Sequence, residues 1–341
     1  MTISIVIPVY NVQTYLKECL ESVLNQTKKV NQIILIDDCS TDDSGNICDN
    51  YAKLHNYIVV VHKKKNEGLG MARNSGLNIV DSDYVMFLDS DDYLDSDYIE
   101  RMHELIGNKR IQTVKNGYRK VSLNGKTIDE LRTTSQAFYG KEVTYQLLPR
   151  IIGSSPYEKD SVPMSACCTL YSMEVINKHH IRFVSEREWI SEDQLFNIEY
   201  FSHATSCALN DYIGYNYRTN FNSLTTKFIP DRFEKCRAMY VKESEVLSTI
   251  IPKEKWELRL NRQFMNYLRM CFSQLKKSVS GFGYIKSYRY IKSITDNKLV
   301  CSVVNNYPLE YLNLPQKVFV QMVKYRANLA LYFMFCIVKV N

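Results

Sequence analysis

The sequence predicts an α/β fold with a Rossmann-like, mostly parallel sheet covered by helices on both faces, followed by a helical C-terminal region. Three observations lead to this prediction. Short and almost continuously apolar runs recur through the first hundred residues. Segments with helical spacing of apolar residues separate these runs, which is typical of βαβ units whose strands are buried on both faces. From residue 230 onward the recognisable patterns are helical.

The first predicted strand is Ile3–Val9, and apolar residues three or four positions apart predict a helix from residue 12 to residue 24. The next elements alternate in the same way: a strand at 33–36, a helix ending near 54, a strand at 57–61, a helix within 66–79, a strand at 84–88 and a helix at 95–106. Ligands of such sheets bind beyond the carboxyl ends of the strands. The polar residues after each strand are therefore expected to share one edge.

The pattern weakens after residue 107, where we predict loops and strands, with a buried strand at 164–171. Three longer helices are predicted at 233–250, 256–275 and 318–337. These observations predict an α/β domain over residues 1–228 and a helical, basic domain over residues 229–341.

Charge is distributed unevenly along the chain. The net charge is +6, yet residues 229–341 alone hold 19 Lys and Arg against 8 Asp and Glu. Such a surface suits an anionic membrane, while a solvated basic helical face is the alternative. We expect no nucleic-acid partner, because no signature of a nucleic-acid-binding module is present. The apolar stretch from residue 327 to residue 338 would lie on a membrane, cover the core or hold a partner chain in an oligomer.

The sequence also argues against several other classes of protein and site. No run of 18 apolar residues and no secretory signal is present, so we expect a cytoplasmic protein, and the basic C-terminal region leads us to expect that it is peripheral at the inner membrane face. The ten cysteines lack zinc-site spacing and are expected to be reduced thiols. Neither a Walker A pattern nor a G-x-G-x-x-G loop follows the first strand.

Two carboxylates follow the fourth predicted strand, as Asp89-x-Asp91. In extended backbone, residues two apart point the same way, so the pair can face one ligand. Magnesium and manganese ions prefer oxygen ligands, and Mg²⁺ often takes one or two carboxylates together with phosphate oxygens. The pair therefore predicts a diphosphate–metal site, with acids of an ordinary turn as the alternative.

Four stretches of the first hundred residues together resemble the signature of glycosyltransferase family 2, the inverting GT-A transferases. They are SIVIPVYN at 4–11, ILIDDCSTD at 34–42, NEGLGMARNSG at 66–76 and FLDSDD at 87–92. Their order and spacing also agree with the family, although Cys39 stands where the family usually has glycine. The resemblance implies a GT-A fold and transfer of a sugar from a nucleotide diphosphate donor, a UDP-sugar by expectation, to a hydroxyl group with inversion.

The resemblance also implies roles for individual donor-site residues. Pro8 and Tyr10 match the strand exit that frames the base, and Asp38 matches the carboxylate that contacts the uracil N–H; a helix-entry acid is the alternative for Asp38. Arg73 matches a basic residue near the donor that binds phosphate or a carboxylate. Asp91 would be the direct ligand of Mn²⁺ or Mg²⁺, and Asp89 would reach the ribose or the metal.

Two later segments resemble further parts of the family pattern. Glu192-Asp193 resembles its E-D motif, which implies Asp193 as the base for the acceptor hydroxyl and Glu192 as a supporting carboxylate. Acids in a first helical turn are also stabilising on their own, which is the structural alternative. Residues 215–225 resemble a segment in which Arg218 and Ser223 would close over the diphosphate, although Asn220 stands where the family often has arginine.

Together these features favour a metal-dependent inverting glycosyltransferase that acts on a saccharide acceptor, expected to be lipid-linked, in bacterial capsule, O-antigen or exopolysaccharide synthesis. Two other functions stay open at this point. The same fold would serve a non-catalytic nucleotide-sugar-binding scaffold. A sugar nucleotidyltransferase also joins a nucleotide site to metal-binding carboxylates, but it should carry a Gly-rich basic loop after its first strand, where this chain has Tyr10-Asn11-Val12-Gln13.

Overall fold

The structure is a computed structural model that describes residues 1–107, 111–219 and 229–337. The chain divides into two compact units, one of Met1–Ile151 with Val162–Asn220 and one of Ile152–Ser161 with Phe221–Asn341. The predicted α/β architecture with a helical C-terminal region is confirmed. The domain boundary after residue 228 stays a prediction.

The first part of the α/β unit alternates strands and helices as predicted, with ends that differ by a few residues. Its elements are β1 Ile3–Val9, α1 Gln13–Leu24, β2 Gln32–Asp37, α2 Ser44–Leu54, β3 Ile58–His62, α3 Leu69–Leu77, β4 Tyr84–Phe87, β5 Tyr93–Leu94 and α4 Tyr98–Gly107. All seven residues of β1 are buried. Burial on both faces explains why this strand has a continuous apolar run rather than an alternating one.

The remainder of this unit completes two sheets. Its elements are β6 Thr113–Asn116, β7 Tyr118–Val121, β8 Thr127–Leu131, β9 Gln136–Tyr139, a π-helical turn Val143–Leu147 that continues into α5 Leu148–Ile152, β10 Thr169–Ser172, α6 Met173–Lys178, α7 Glu192–His203, β11 Ser206–Asn210 and β12 Tyr215–Arg218. The predicted strand at 164–171 is wrong for its first half. Residues 164–168 form no strand, and backbone groups of Met164, Ser165 and Ala166 bond instead to side chains of other elements.

The larger sheet has eight strands in the order β3-β2-β1-β4-β10-β6-β11-β9. Strands β3, β2, β1 and β4 are parallel neighbours, whereas β10 runs antiparallel to both β4 and β6, and β9 runs antiparallel to β11. The smaller sheet has the order β5-β12-β7-β8. Since β1, β2 and β4 are parallel, the residues that follow them lie at one edge, as the sequence predicted.

Two residues just beyond β1 and β2 have left-handed backbone. Asn11 has φ 49° and Cys39 has φ 66°. Asparagine tolerates this region, but a residue such as cysteine is disfavoured there because of its Cβ atom. The conformation of Cys39 therefore gives a physical reason for the glycine that the family usually has at this position.

Replacing Cys39 with glycine is expected to raise the free energy of unfolding by about 0.5–1 kcal/mol. The left-handed conformation costs a non-glycine residue roughly 1–2 kcal/mol, and the greater freedom of glycine in the unfolded chain offsets part of the gain. Urea-induced unfolding measures the change. Cys39→Ser is the matched control, because serine keeps the Cβ atom; equal stability of the two variants would contradict the explanation.

The second unit is built from helices. They are α8 Arg232–Ile250, α9 Lys253–Thr295, α10 Lys298–Asn306, α11 Leu314–Lys324 and α12 Asn328–Tyr332, with a 3₁₀ turn at Leu309–Tyr311 and a π-helical turn at Phe333–Ile337. The segment Ile152–Ser161 joins them through Arg259, whose guanidinium donates to Asp160 at 2.5 and 2.9 Å. Phe272, Phe319 and Phe335 form a mutual ring cluster in the core, with centroids 5.7–5.9 Å apart.

Two of the helix predictions for this unit need correction. The helix predicted at 256–275 extends over Lys253–Thr295, with non-helical backbone at Gly283, whose φ is 69°. The single helix predicted at 318–337 is broken after Lys324, where Arg326 adopts a left-handed φ of 51°. Within the described ranges, no helix combines the length and the apolar character needed to cross a bilayer.

Candidate active site

Backbone and side-chain hydrogen bonds join the ends of β1 and β2 at one edge of the large sheet. The backbone N–H of Asp38 donates to the carbonyl oxygen of Val9 at 2.9 Å, and the N–H of Thr41 donates to Asn11 Oδ1 at 2.7 Å. Pro8 is buried inside β1, whereas Tyr10 is 49% exposed. Of the two predicted base-framing residues, only Tyr10 therefore presents its ring to solvent.

Asp38 is a buried carboxylate that holds the entrance of α3. It accepts hydrogen bonds from the backbone N–H of Glu67 at 3.0 and 3.1 Å and of Gly68 at 2.7 Å. Lys63 Nζ lies 3.3 Å from it. Any contact of Asp38 with a base, as the resemblance implies, would add to this structural role.

The acidic hairpin after β4 is fixed by its third aspartate. Asp92 is buried, and its oxygens accept from the Tyr215 hydroxyl at 2.6 Å and from the backbone N–H of Arg218 at 2.8 Å. Burial, together with the nearby Asp89 and Asp91 carboxylates, raises the pKa of Asp92 well above its usual range. Asp92 thereby fastens the hairpin to β12 and leaves Asp89 and Asp91 as its partly exposed acids.

Arg218 lies against the same hairpin, where its guanidinium is enclosed by other side chains. Its Nε donates to the Asp91 carbonyl oxygen at 2.9 Å and its Nη2 to Glu18 at 2.6 Å. The rings of Tyr15 and Tyr93 each lie 5.1 Å from the guanidinium carbon. The other predicted lid residue, Ser223, lies outside the described residues.

Arg73 on α3 joins the two acidic motifs. Its side chain is 1% exposed, and its Nη2 donates to Asp89 Oδ1 at 2.8 Å. Its Nη1 donates to Asp193 Oδ1 at 2.5 Å and to Glu192 Oε1 at 3.0 Å. Burial alone would lower the pKa of Arg73, but the surrounding acids, above all Asp193 and Asp89, raise it well above its usual range. A permanent cation therefore bridges the D-x-D hairpin and the E-D pair.

The E-D pair occupies the first turn of α7, and its two acids differ in environment. Asp193 is partly exposed, and its second oxygen accepts the backbone N–H of Ala166 at 3.0 Å. Glu192 is almost fully buried, and burial, reinforced by the Asp193 charge and opposed by Arg73, raises the pKa of Glu192 to about 8. Burial thus favours the neutral form of Glu192 more than that of an exposed glutamate.

The donor atoms of the hairpin fit a hard divalent cation. The described residues contain no group of three His, Cys, Asp or Glu side chains that would enclose a metal ion by themselves. Mg²⁺ commonly binds through one or two carboxylates plus phosphate oxygens and water, and Asp89 and Asp91 supply such a pair. A cation at this edge would therefore need further oxygen atoms, from water or from a bound ligand, to complete its coordination.

Two residues that support the site, Glu186 and Lys115, were not singled out from the sequence. Glu186 accepts from the backbone N–H of Gly70 at 3.1 Å, and it fills the space that a Cβ at Gly68 (φ 97°) would need. Lys115 holds the segment next to Asp193. These partners lie roughly 50 to 120 residues apart in the chain, and no spacing rule indicates contacts of that range.

Comparison with known proteins gives consistent similarities. A family model described as glycosyl transferase family 2 matches residues 4–179. "Putative glycosyltransferase EpsH" of Bacillus subtilis is 29% identical over 79% of this chain and 76% of its own. A poly(ribitol-phosphate) beta-glucosyltransferase of Bacillus spizizenii is 43% identical over 30% of this chain and 17% of its own. The crystal structure of S. aureus TarS 1-349 with UDP-GlcNAc superposes with a TM-score of 0.65, covering 99% of this chain and 95% of that one at 19% identity, which shows a shared fold.

Proposed function

The chain belongs to glycosyltransferase family 2 and is a glycosyltransferase, and from this premise we propose that it transfers a sugar from a UDP-sugar to a saccharide hydroxyl group with inversion. The observation that carries the proposal is the position of Arg73 between Asp89 of the D-x-D hairpin and Asp193 of the E-D pair. An inverting transfer needs a leaving-group site and a base that lie close to each other. The Arg73 guanidinium is within hydrogen-bond distance of Asp89, from the proposed leaving-group site, and of Asp193, the proposed base.

Asp193 is proposed as the general base. A base must lie within hydrogen-bond reach of the hydroxyl proton that it removes. Arg73 and the Ala166 N–H fix the carboxylate of Asp193 in orientation, while its partial exposure leaves it accessible to an acceptor. No enzyme nucleophile is required, because displacement occurs in one step.

Asp91, together with Asp89, is proposed to hold Mn²⁺ or Mg²⁺. Such a cation, when bound, stabilises the negative charge that gathers on the departing nucleoside diphosphate. Arg218 supports the hairpin from the other side by donating to the Asp91 carbonyl oxygen. A direct contact of Arg218 or Ser223 with the diphosphate is a further part of the proposal.

The nucleotide base is proposed to lie at the exits of β1 and β2. Tyr10 offers a half-exposed ring for stacking, Pro8 shapes the strand exit, and Asp38 holds the adjacent loop. UDP is the preferred nucleotide, in keeping with the UDP-GlcNAc complex of TarS, which has the same fold. In this proposal residues 1–228 form the GT-A domain.

The acceptor is proposed to be a growing, lipid-linked saccharide of a bacterial surface polymer. Relatives named as a teichoic acid biosynthesis protein and as a poly(ribitol-phosphate) glucosyltransferase support this class of product. In the helical unit, Tyr284, Ile285, Leu329 and Phe333 are each more than half exposed. Exposed apolar side chains on a strongly basic segment favour contact with an anionic membrane surface.

Binding to vesicles tests the membrane part of the proposal. The protein should sediment with vesicles rich in phosphatidylserine at low salt and be released at high salt, because screening weakens electrostatic attraction. Leu329→Glu combined with Phe333→Glu should lower the partition coefficient at least about tenfold. Leu314→Glu is the control, at a leucine of α11 that is 73% exposed, more than Leu329 at 52%. Equal binding of both variants, or binding that salt does not affect, would speak against this surface.

A donor screen tests the proposed activity. Purified protein is incubated with UDP- and GDP-sugars, with Mn²⁺ or with a chelator, and release of UDP or GDP is measured. We expect hydrolysis of at least one UDP-sugar that requires the cation and that Asp91→Ala abolishes. Release of pyrophosphate in a parallel incubation with UTP and a sugar 1-phosphate would instead favour a nucleotidyltransferase. Full turnover by Asp91→Ala would refute the proposed role of the hairpin.

A further inference from the structure

Lys115 is a lysine in the middle of the large sheet, with no exposed surface. Its ammonium group donates to the carbonyl oxygen of Ser165 at 2.9 Å and to the hydroxyl oxygen of Thr169 at 2.8 Å. Both partners are neutral oxygen atoms, and they stand at the two ends of one short segment, residues 165–169. Lys115 therefore links β6 to this segment.

The segment between these two attachment points contacts the proposed catalytic groups. The backbone N–H of Ala166 donates to Asp193 Oδ2 at 3.0 Å. The sulfur of Cys167 accepts from Arg73 Nη2 at 3.5 Å. The Cys168 carbonyl oxygen accepts from the backbone N–H of Asn116, the neighbour of Lys115 in β6. The position of the segment thus decides where Ala166 meets the base.

A charged lysine is a costly choice for this position. Transfer of an ammonium group from water to the protein interior is strongly unfavourable unless polar partners compensate for it. The cost is visible in the lysine itself, since burial lowers the pKa of Lys115 to about 8. An apolar side chain of similar length would fill the same space without this penalty. A role beyond packing accounts for the lysine.

We propose that Lys115 is a positioning residue for the transfer reaction: by clamping both ends of residues 165–169, it keeps the Ala166 N–H directed at Asp193. The clamp rests on the proposed function, because it acts through the proposed base. Without it, the segment would shift and Asp193 would keep only its contact with Arg73. The base would then be poorly oriented toward the acceptor, while the nucleotide site would be unaffected.

Two cysteines of the segment provide a readout that does not depend on turnover. Cys167 and Cys168 are each 1% exposed in the intact structure. If the clamp holds the segment in place, both thiols should resist a maleimide reagent. Loss of the clamp should expose them, because the labelling rate of a buried thiol follows local opening. Labelling is assigned to individual cysteines by peptide mass spectrometry.

The test compares three variants of the full chain. Lys115→Met removes the ammonium and keeps the length of the side chain, whereas Thr169→Val removes one acceptor and serves as a milder variant should Lys115→Met fail to fold. Thr113→Val is the matched control, since Thr113 is a buried residue of the same strand whose hydroxyl bonds to Tyr200 at 2.6 Å and not to the segment. Each variant is measured for labelling, for UDP affinity and for kcat with the donor found in the screen.

In Lys115→Met we expect kcat to fall about 10- to 100-fold, because small errors in the placement of catalytic groups lower the rate by this much. UDP affinity should stay within about twofold of the wild-type value. Labelling of Cys167 and Cys168 should rise about tenfold or more. Thr169→Val should also lower kcat and raise the labelling of the two cysteines, but to a smaller extent. Thr113→Val should change neither, although it also loses a buried hydrogen bond.

Protected cysteines in both clamp variants, or an unchanged kcat, would overturn the inference. So would a loss of UDP affinity as large as the loss of kcat, because that pattern indicates general disruption of the fold. Failure of the proposed function looks different. The wild-type protein would then transfer no sugar at all, while labelling would still show whether Lys115 clamps the segment.

Discussion

Replacing Arg73 with methionine should lower the free energy of unfolding by about 3–5 kcal/mol and reduce sugar transfer at least about a hundredfold. The side chain is 1% exposed and is the shared partner of Asp89, Glu192 and Asp193. Its removal would leave these acids together without a cation, which is far more costly than the loss of a surface ion pair. The same change would release the base from its orientation.

Urea-induced unfolding and transfer assays on the folded fraction measure the two effects separately. Arg101→Met is the matched control, since the guanidinium of Arg101 is half exposed, donates to Asp97 just before α4 and lies over the Tyr212 ring, so that a much smaller loss of stability is expected. Arg73→Lys should fall in between, because one ammonium keeps the charge but not the fork that reaches several acids. If Arg73→Met were as stable and active as Arg101→Met, the bridge between the acidic motifs would have no function.

Asp193→Asn is expected to lower kcat by about two to four orders of magnitude while leaving UDP affinity within about twofold of the wild-type value. Asparagine keeps the shape of the side chain and an oxygen for the Ala166 N–H, but it cannot take a proton from the acceptor. Rates with saturating donor and acceptor give kcat, and calorimetry gives UDP affinity. The change should appear in kcat because a base acts in the transition state and not in donor binding.

Glu192→Gln is the matched comparison for Asp193→Asn. Burial raises the pKa of Glu192 and favours its neutral form, which glutamine mimics. We expect a loss of less than about tenfold at pH 7 for this variant. A larger loss of kcat in Glu192→Gln than in Asp193→Asn would indicate that Glu192, and not Asp193, is the base.

The sequence was sufficient to predict the parts of the fold that depend on local pattern. Runs such as Ile3–Val9 predict buried strands because both faces of the sheet are covered. Helix ends that depend on a single backbone angle were harder to predict. Nothing in the apolar pattern after residue 318 indicates that Arg326 would turn into a left-handed conformation and break the helix.

In the site, too, local motifs could be predicted from the sequence and contacts between distant residues could not. The sequence pointed to Asp89, Asp193 and Arg73 one by one, through motifs and through family resemblance, but not to their arrangement. Arg73 and Asp193 are 120 residues apart, and their contact follows from how α3 and α7 pack in the folded unit. Nothing in the sequence indicated that Lys115 is buried, because lysine is almost always exposed and a single lysine in a short strand is expected to face solvent.

The most direct test of the mechanism is calorimetric titration of UDP, with and without Mn²⁺, into wild-type protein, Asp91→Asn and Asp193→Asn, alongside a transfer assay on each. Asp91→Asn should lose the part of the UDP affinity that depends on Mn²⁺, because the hairpin carboxylate holds the cation that meets the diphosphate. Asp193→Asn should keep that affinity and lose transfer. Mn²⁺-dependent UDP binding that survives in Asp91→Asn, or transfer that survives in Asp193→Asn, would contradict the division of roles between the two acidic motifs.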